Sequence, residues 1–272
     1  MGKKLLGVVS ILLLMLLLIF NASKNNNNTY DNEFLTSLAK GLDKRWEFVA
    51  KRDYDKESLK NYRICVDYEL NELKKYKNRE FENPELKKLA DTYIDVLKNE
   101  KETTINRKYL DSIFRDEWNK LQYKRYELLL DINSIVEIPV KNKQSLNKIL
   151  KSGKEIKEFN RVYGILVDTF KPEDFEVENV SRSNGNEKRY IGNFENTTGY
   201  DIRHIYLSIH FYDEKDKGVF SIGGEPEGIW KNGTKKSFEF PIYDSDKEFK
   251  YFKIYISKKN LRFSRKGYFL EY

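Results

Sequence analysis

One cysteine, two histidines and five prolines among 272 residues remove several chemistries from consideration. Cys65, being alone, cannot close an internal disulfide. No zinc motif, phosphate-binding glycine loop or nucleophile elbow is spelled anywhere in the chain. Cys65 lies within a helical pattern with no His–Asn constellation to activate it, and reads as a small, partly buried residue. The two histidines, His204 and His210, fall in one expected strand. Six residues apart, they stand roughly 20 Å from one another and cannot share a metal. Asp213-Glu214-Lys215-Asp216-Lys217-Gly218 offers three carboxylates but interleaves lysines and lacks the distal glutamate of a calcium loop, so it reads as a solvated hairpin. Glu225 and Glu227 flank Pro226 in a turn and do not by themselves make a glycosidase pair. The expectation is therefore a protein that is not an enzyme, with no catalytic residues, no cofactor and no metal.

Long apolar runs are also scarce, with one exception. Lys3-Lys4 precede an uncharged stretch from Leu5 to Phe20, roughly 24 Å of helix against a hydrocarbon core of about 30 Å. Snorkelling of Lys3 and Lys4 makes up part of the difference. A cut after Ala22 or Ser23 would put Phe20 or Asn21 at −3, where a signal peptidase wants a small side chain, and no cysteine follows for lipid attachment. The expectation is an uncleaved signal-anchor over 1–22, with secretion after cleavage as the alternative. The N-terminus would then be cytoplasmic and the bulk of the chain extracellular on a single-pass cell-membrane protein. Residues 23–32 form a polar, asparagine-rich linker.

What is plentiful is aromatic side chains: 19 Tyr, 17 Phe and 3 Trp, enough for real cores despite 34% charged residues. From 33 to 165 the apolar period is helical, through Phe34, Leu38, Leu42, Trp46 and then Leu59, Tyr62, Val66, Leu70, Leu73. Asn83-Pro84-Glu85 reads as N-cap, first helical residue and dipole-facing acid. A fourth helix runs through Phe114, Trp118, Leu121 and Leu128, and a fifth is expected to be interrupted at Gly153. Short connections predict an antiparallel bundle whose core stripes hold few polar residues, with Trp46 and Trp118 as core.

Past Pro172 the period drops to two. Ile205, Leu207, Ile209 and Phe211 alternate with His204, Tyr206, Ser208, His210 and Tyr212, and Phe238, Phe240 and Ile242 repeat the pattern. Turn signals between these runs predict an antiparallel β-sandwich over 172–272, with Pro241 on an edge strand or bulge. The fold class expected is α+β multidomain: membrane helix, antiparallel helical bundle, antiparallel β-sandwich.

Ile209-His210-Phe211-Tyr212-Asp213, the opening Gly192-Asn193-Phe194-Glu195-Asn196 and the later Asn232-Gly233 with Phe238 resemble the FxLYD domain over residues 186–257. Tyr212 and Asp213 of the signature are retained, Ile209 and Phe211 replace its Phe and Leu, and Asn232 stands where proline is usual. The resemblance implies a small Ig-like sandwich of bacterial envelope proteins without catalytic residues. The pairing of Gly41-Leu42-Asp43-Lys44-Arg45-Trp46 with such a domain also resembles surface proteins of low-GC Gram-positive bacteria.

The function expected from these features is a membrane-anchored, extracytoplasmic binding protein of the cell envelope. Its partners would be the membrane and anionic wall polymers or another envelope protein, with no nucleic acid. Alternatives are a cell-wall hydrolase with a site between the domains, or a regulator of a neighbouring membrane protein. Candidate binding residues are the outward tyrosines Tyr206, Tyr212, Tyr251 and Tyr255 with Lys253, Lys258 and Lys259 of the basic C-terminal strip.

Overall fold

All but the first of the five α-helices start where a capping side chain (Ser58, Asn83, Asp111 or Asn142) meets an apolar stripe. In the computed structural model, residues 30–51, 58–107, 110–182, 185–243, 248–265 and 268–271 are described. Helix α1 (Tyr30–Lys51) buries Phe34, Leu35, Leu38, Ala39 and Leu42 at three- and four-residue spacing. It begins inside the stretch expected to be linker, because Asp31 accepts hydrogen bonds from the amides of Glu82 (2.9 Å) and Asn83 (3.0 Å). Helix α2 (Leu59–Leu73) is capped by Ser58. Helix α3 (Pro84–Ile105) is capped by Asn83, whose Oδ1 accepts from the amides of Glu85 and Leu86, with Pro84 at the first turn as expected. Asp111 caps α4 (Ser112–Ile135). The four helices pack in succession, each on the next.

Helix α5 (Lys143–Thr169) corrects one expectation: it runs unbroken through Gly153. The glycine is there for contact. A Cβ at this position would lie 2.6 Å from the Tyr126 carbonyl oxygen and 3.2 Å from the Leu130 Cβ, so α4 passes too close for any side chain.

The helical stripes are also less apolar than expected. Glu69 of α2 is fully buried and accepts from Arg45 of α1 (Nη1, 2.7 Å), from Arg125 of α4 (Nη2, 2.6 Å; Nε, 3.3 Å) and from the Tyr93 hydroxyl of α3. Burial pushes the Glu69 carboxyl up, but Arg125 and Arg45 outweigh it and hold the group below its ordinary range. Glu100 of α3 lies beside this cluster with a poorer share of it. Its Oε1 accepts from Gln122 Nε2 (2.8 Å), while its Oε2 finds no hydrogen-bond partner among the described residues and stands 3.8 Å from Arg45 Nη1. Burial, only partly opposed by Arg45 and Arg125, pushes Glu100 up to about 7.

Apart from three short 3-10 turns (Lys74–Tyr76, Pro172–Asp174 and Lys258–Asn260), the remaining elements are strands: β1 (Glu176–Arg182), β2 (Gly185–Glu195), β3 (Asp201–His204), β4 (Leu207–Tyr212), β5 (Gly218–Gly224), β6 (Lys235–Tyr243), β7 (Tyr251–Ile256), β8 (Arg262–Arg265) and β9 (Tyr268–Glu271). They form three antiparallel three-stranded sheets in the orders β1-β2-β6, β3-β8-β9 and β5-β4-β7. Pro241 sits on β6, an edge strand, where a missing amide is tolerated. The single strand expected over Ile202–Asp213 is two. β3 pairs with β8 and β4 with β5 and β7, so the chain changes sheets at Ile205–Tyr206 and His204 and His210 belong to different sheets.

The chain divides into two compact units, Met1–Gly153 and Lys154–Tyr272. The core of the second joins Phe159, Val162, Leu166 and Phe170 from the C-terminal part of α5 to Phe194, Ile209, Phe211, Trp230, Phe238 and Phe263. The described residues thus make an α+β protein of five helices and antiparallel sheets. No helix among them is long and apolar enough to cross a membrane, and the expected anchor over 1–22 lies outside the described residues.

Two measurements test this packing. Gly153→Ala gains up to about 1 kcal/mol of helix propensity, yet urea unfolding is expected to show net destabilisation of about 1–3 kcal/mol from overpacking against Tyr126. The second follows from the two glutamates. Glu100, raised in the fold, contributes stability that is full below pH 4.5 and fades as pH rises through about 7. Glu69, lowered in the fold, contributes stability that fades as pH falls below its ordinary range. Stability should therefore peak in mild acid. Glu100→Gln should remove the decline between pH 5 and 8 and gain about 2 kcal/mol at pH 8. Parallel curves for the two proteins would show that Glu100 is not the titrating group.

Candidate functional site

Strand β4 is central in its sheet, hydrogen-bonded to β5 on one side and β7 on the other. Its alternation sends Leu207, Ile209 and Phe211 into the core and leaves Ser208, His210 and Tyr212 on the opposite face. The register with β7 sets Ser208 opposite Tyr255, His210 opposite Lys253, and Tyr212 opposite Tyr251. On the other flank β5 offers only Gly223 and Ser221 opposite Ser208 and His210. A ridge of large side chains therefore borders a shallow strip of small ones.

Within the ridge the side chains lean together. Tyr212 and Tyr251 stack at 5.2 Å with their rings 11° from parallel. The Tyr212 and Tyr255 hydroxyls are 3.1 Å apart. Their attachment points lie four residues apart along the ladder, roughly 13 Å, so both phenols must incline along the sheet to meet. The ground between them holds His210, edge-on to Tyr255 at 4.6 Å, and Lys253, whose ammonium is 5.2 Å from the Tyr212 ring centre and 5.6 Å from that of Tyr251. Ser208 Oγ lies 3.1 Å from His210 Nε2.

Tyr251 and Tyr212 are held neutral above their ordinary range. Tyr251 donates to Asp216 Oδ1 (2.7 Å), which pushes its hydroxyl up to about 12. Hydrogen bonding with Tyr255 raises Tyr212 as well. Asp216 reaches this position from the β4–β5 turn, where it adopts a positive φ of 58°. Asp213 holds the turn by accepting from the amides of Lys215 and Lys217.

Of the seven residues proposed from sequence, four gather here: Tyr212, Tyr251, Tyr255 and Lys253. Tyr206 sits at the β5 side of the same face, its hydroxyl over Gly223, where a Cβ would approach to 2.4 Å. Lys258 lies elsewhere: its ammonium donates to Asn160 Oδ1 (3.2 Å) and covers the Tyr163 ring at 4.6 Å, both on α5. Lys259 shares the short Lys258–Asn260 turn. The sequence reading missed His210 and Asp216 as members of the array. The strand alternation already placed His210 on this face, but nothing local signalled that the turn would return Asp216 to Tyr251.

No family model matches the chain, and no curated protein matches it. Among solved structures the chain is similar to the Pseudomonas fluorescens alkylpurine DNA glycosylase AlkC bound to DNA containing an abasic site analog. The identity is 8%, the coverage 73% of this chain and 67% of the other, and the TM-score 0.20. That neighbour is described as a DNA glycosylase bound to DNA, which runs against the expectation of a membrane-anchored envelope protein that excludes nucleic acid as a partner, and that expectation is not carried further. At a TM-score of 0.20 the likeness assigns neither DNA binding nor glycosylase chemistry to this chain.

Proposed function

We propose that the second unit recognises a neutral ring ligand, a pyranose-bearing glycan, on the face formed by Tyr212, Tyr251 and Tyr255. The observation that carries this reading is the convergence of three partly exposed phenols, with Tyr212 and Tyr255 joined hydroxyl to hydroxyl, on one sheet face. Scattered tyrosines on a surface need no explanation, whereas a contiguous aromatic array does. The C–H face of a sugar ring is apolar and carries slight positive charge, which suits the negative face of a phenol. Its hydroxyls would find partners in the phenolic oxygens, Ser208 and His210.

Charge argues for a neutral ligand. The array holds one lysine, Lys253, already placed over two rings, and one carboxylate, Asp216. A nucleic-acid strand calls for several cations along its phosphates. The face carries a binding role and no bond-making step. The resemblance of residues 186–257 to the FxLYD domain points the same way, since that family supplies no catalytic residues.

The test is a glycan-array screen of the full chain followed by titration of the best binder. Tyr255→Ala and Tyr212→Ala are each expected to weaken binding roughly 5- to 10-fold, about 1 kcal/mol apiece. The binding should be nearly independent of salt. A single-stranded oligonucleotide that binds with steep salt dependence, with no glycan bound, would overturn the glycan reading in favour of nucleic acid.

A further inference from the structure

Strands β5 and β6 end their respective sheets, and among the described residues neither has a hydrogen-bonded strand on its outer side, although the two approach one another there. A cleft of about 480 Å³ lies between the end of β5 and the start of β6, lined by Gly224, Glu225, Pro226 and Glu227 on one side and by Lys236–Phe240 on the other. Phe238 and Phe240 turn their rings into the core, at 1% and 5% exposure, so what they present to the cleft is main chain.

The hydrogen-bond pattern tells which amides face outward. Asn196 N donates to Thr234 O (3.0 Å) just ahead of the β2–β6 ladder. Antiparallel pairs alternate. In the β2–β6 register, Lys236, Phe238 and Phe240 therefore bond inward to β2, and Ser237 and Glu239 direct their amides to the free edge. Pro241 is next in the outward row and has no amide, which closes the edge at that point.

We propose that the free edge of β6 takes up an extended, cationic peptide as an added strand. Main-chain bonds to Ser237 and Glu239 would supply the affinity. The cleft walls supply the charge preference, with carboxylates on Glu225, Glu227 and Glu239 against one ammonium, that of Lys236. The Lys236 ammonium is already committed to the carbonyls of Glu227 and Gly228 (2.7 Å to the latter), and this tether holds the β5–β6 loop beside the edge. Glu225 is braced by His204, whose Nδ1 is 2.6 Å from its Oε1. Lysines or arginines at alternate positions of the incoming strand would meet these carboxylates. The site is separate from the tyrosine array and stands or falls without it.

The experiment is fluorescence anisotropy of the full chain with a labelled Lys-Val-Lys-Val-Lys-Val peptide. Controls are its Glu-Val counterpart and a version N-methylated at alternate amides. The cationic peptide is expected to bind and the acidic one not. N-methylation should weaken binding at least tenfold, as should Ser237→Pro, which removes one edge amide in the way Pro241 already does. Glu239→Lys should cost a similar factor. Equal binding of the parent and N-methylated peptides would overturn the strand addition, whatever the folding of the variants. Binding of the acidic peptide as well as the cationic one would overturn the charge assignment. A dimer that Ser237→Pro dissolves would give the edge to a second copy of this chain and overturn the peptide reading.

Discussion

A carboxylate taken out of water must either hold a proton or be surrounded by compensating charge, and Glu69 is surrounded. Moving an ion of this kind into a protein interior costs several kcal/mol even after relaxation. Four bonds, from Arg45, Arg125 twice and Tyr93, answer that cost. The donors come from three helices and the acceptor from a fourth, so α1, α2, α3 and α4 must meet at one level. Sliding any of them by one turn, about 5.4 Å, would separate a guanidinium from its carboxylate and leave both buried. Apolar stripes tolerate such a slip more readily, because one leucine replaces another. Glu100 shows the same energetics without the full shell: it shares Arg45 only at 3.8 Å and drifts toward neutrality.

The β unit solves its register problem with a neutral group. Asn196 is fully buried and has no unmet capacity: Nδ2 donates to the carbonyls of Tyr200 and Trp230, and Oδ1 accepts from the Thr198 amide and hydroxyl. Its backbone bonds Thr234 and Gly233. The turn after β2 is thereby locked to the turn before β6. Both turns need left-handed backbone, supplied by Gly199 (φ 86°) and Gly233 (φ 73°). No charge is desolvated, so this hub carries little dependence on pH. Trp230 completes it, exchanging backbone bonds with Ile202 and donating its indole N–H to the Thr234 carbonyl.

Local chemistry was readable from the residues alone, and long-range pairing was not. Asn83-Pro84-Glu85 announces a helix start because capping involves three neighbouring residues. Alternation placed Ile209 and Phe211 inside and Tyr212 outside, since a strand's period belongs to the strand itself. Gly153 misled because its low helix propensity is a local property, whereas its close approach to Tyr126 depends on how α4 and α5 cross. Glu69 and Arg125 could have been found as charges inside apolar stripes, but their pairing across 56 residues has no local signature. For the candidate site, sequence could say that Tyr212, Tyr251, Tyr255 and Lys253 face outward. Only the β4–β7 register says that they face outward together, and only the Lys258 contacts with α5 remove that lysine from the group.

The position of the tyrosine array on the β4–β7 ladder bears on what it can do. β4 is held on both sides, so the spacing of its outward side chains is fixed by two ladders rather than one. Cross-strand stacking with Tyr251, the hydroxyl contact with Tyr255 and the Asp216 bond then restrict the phenols themselves. A ligand meeting rings already ordered loses less entropy on binding than one that must gather loose side chains. On the β5 flank Gly223 gives its place to the Tyr206 phenol, whose hydroxyl lies over it, and Ser221 adds little bulk beside the ridge. A side chain at Gly223 would displace the Tyr206 phenol, so the smallness of β5 is as much a part of the array as the tyrosines are.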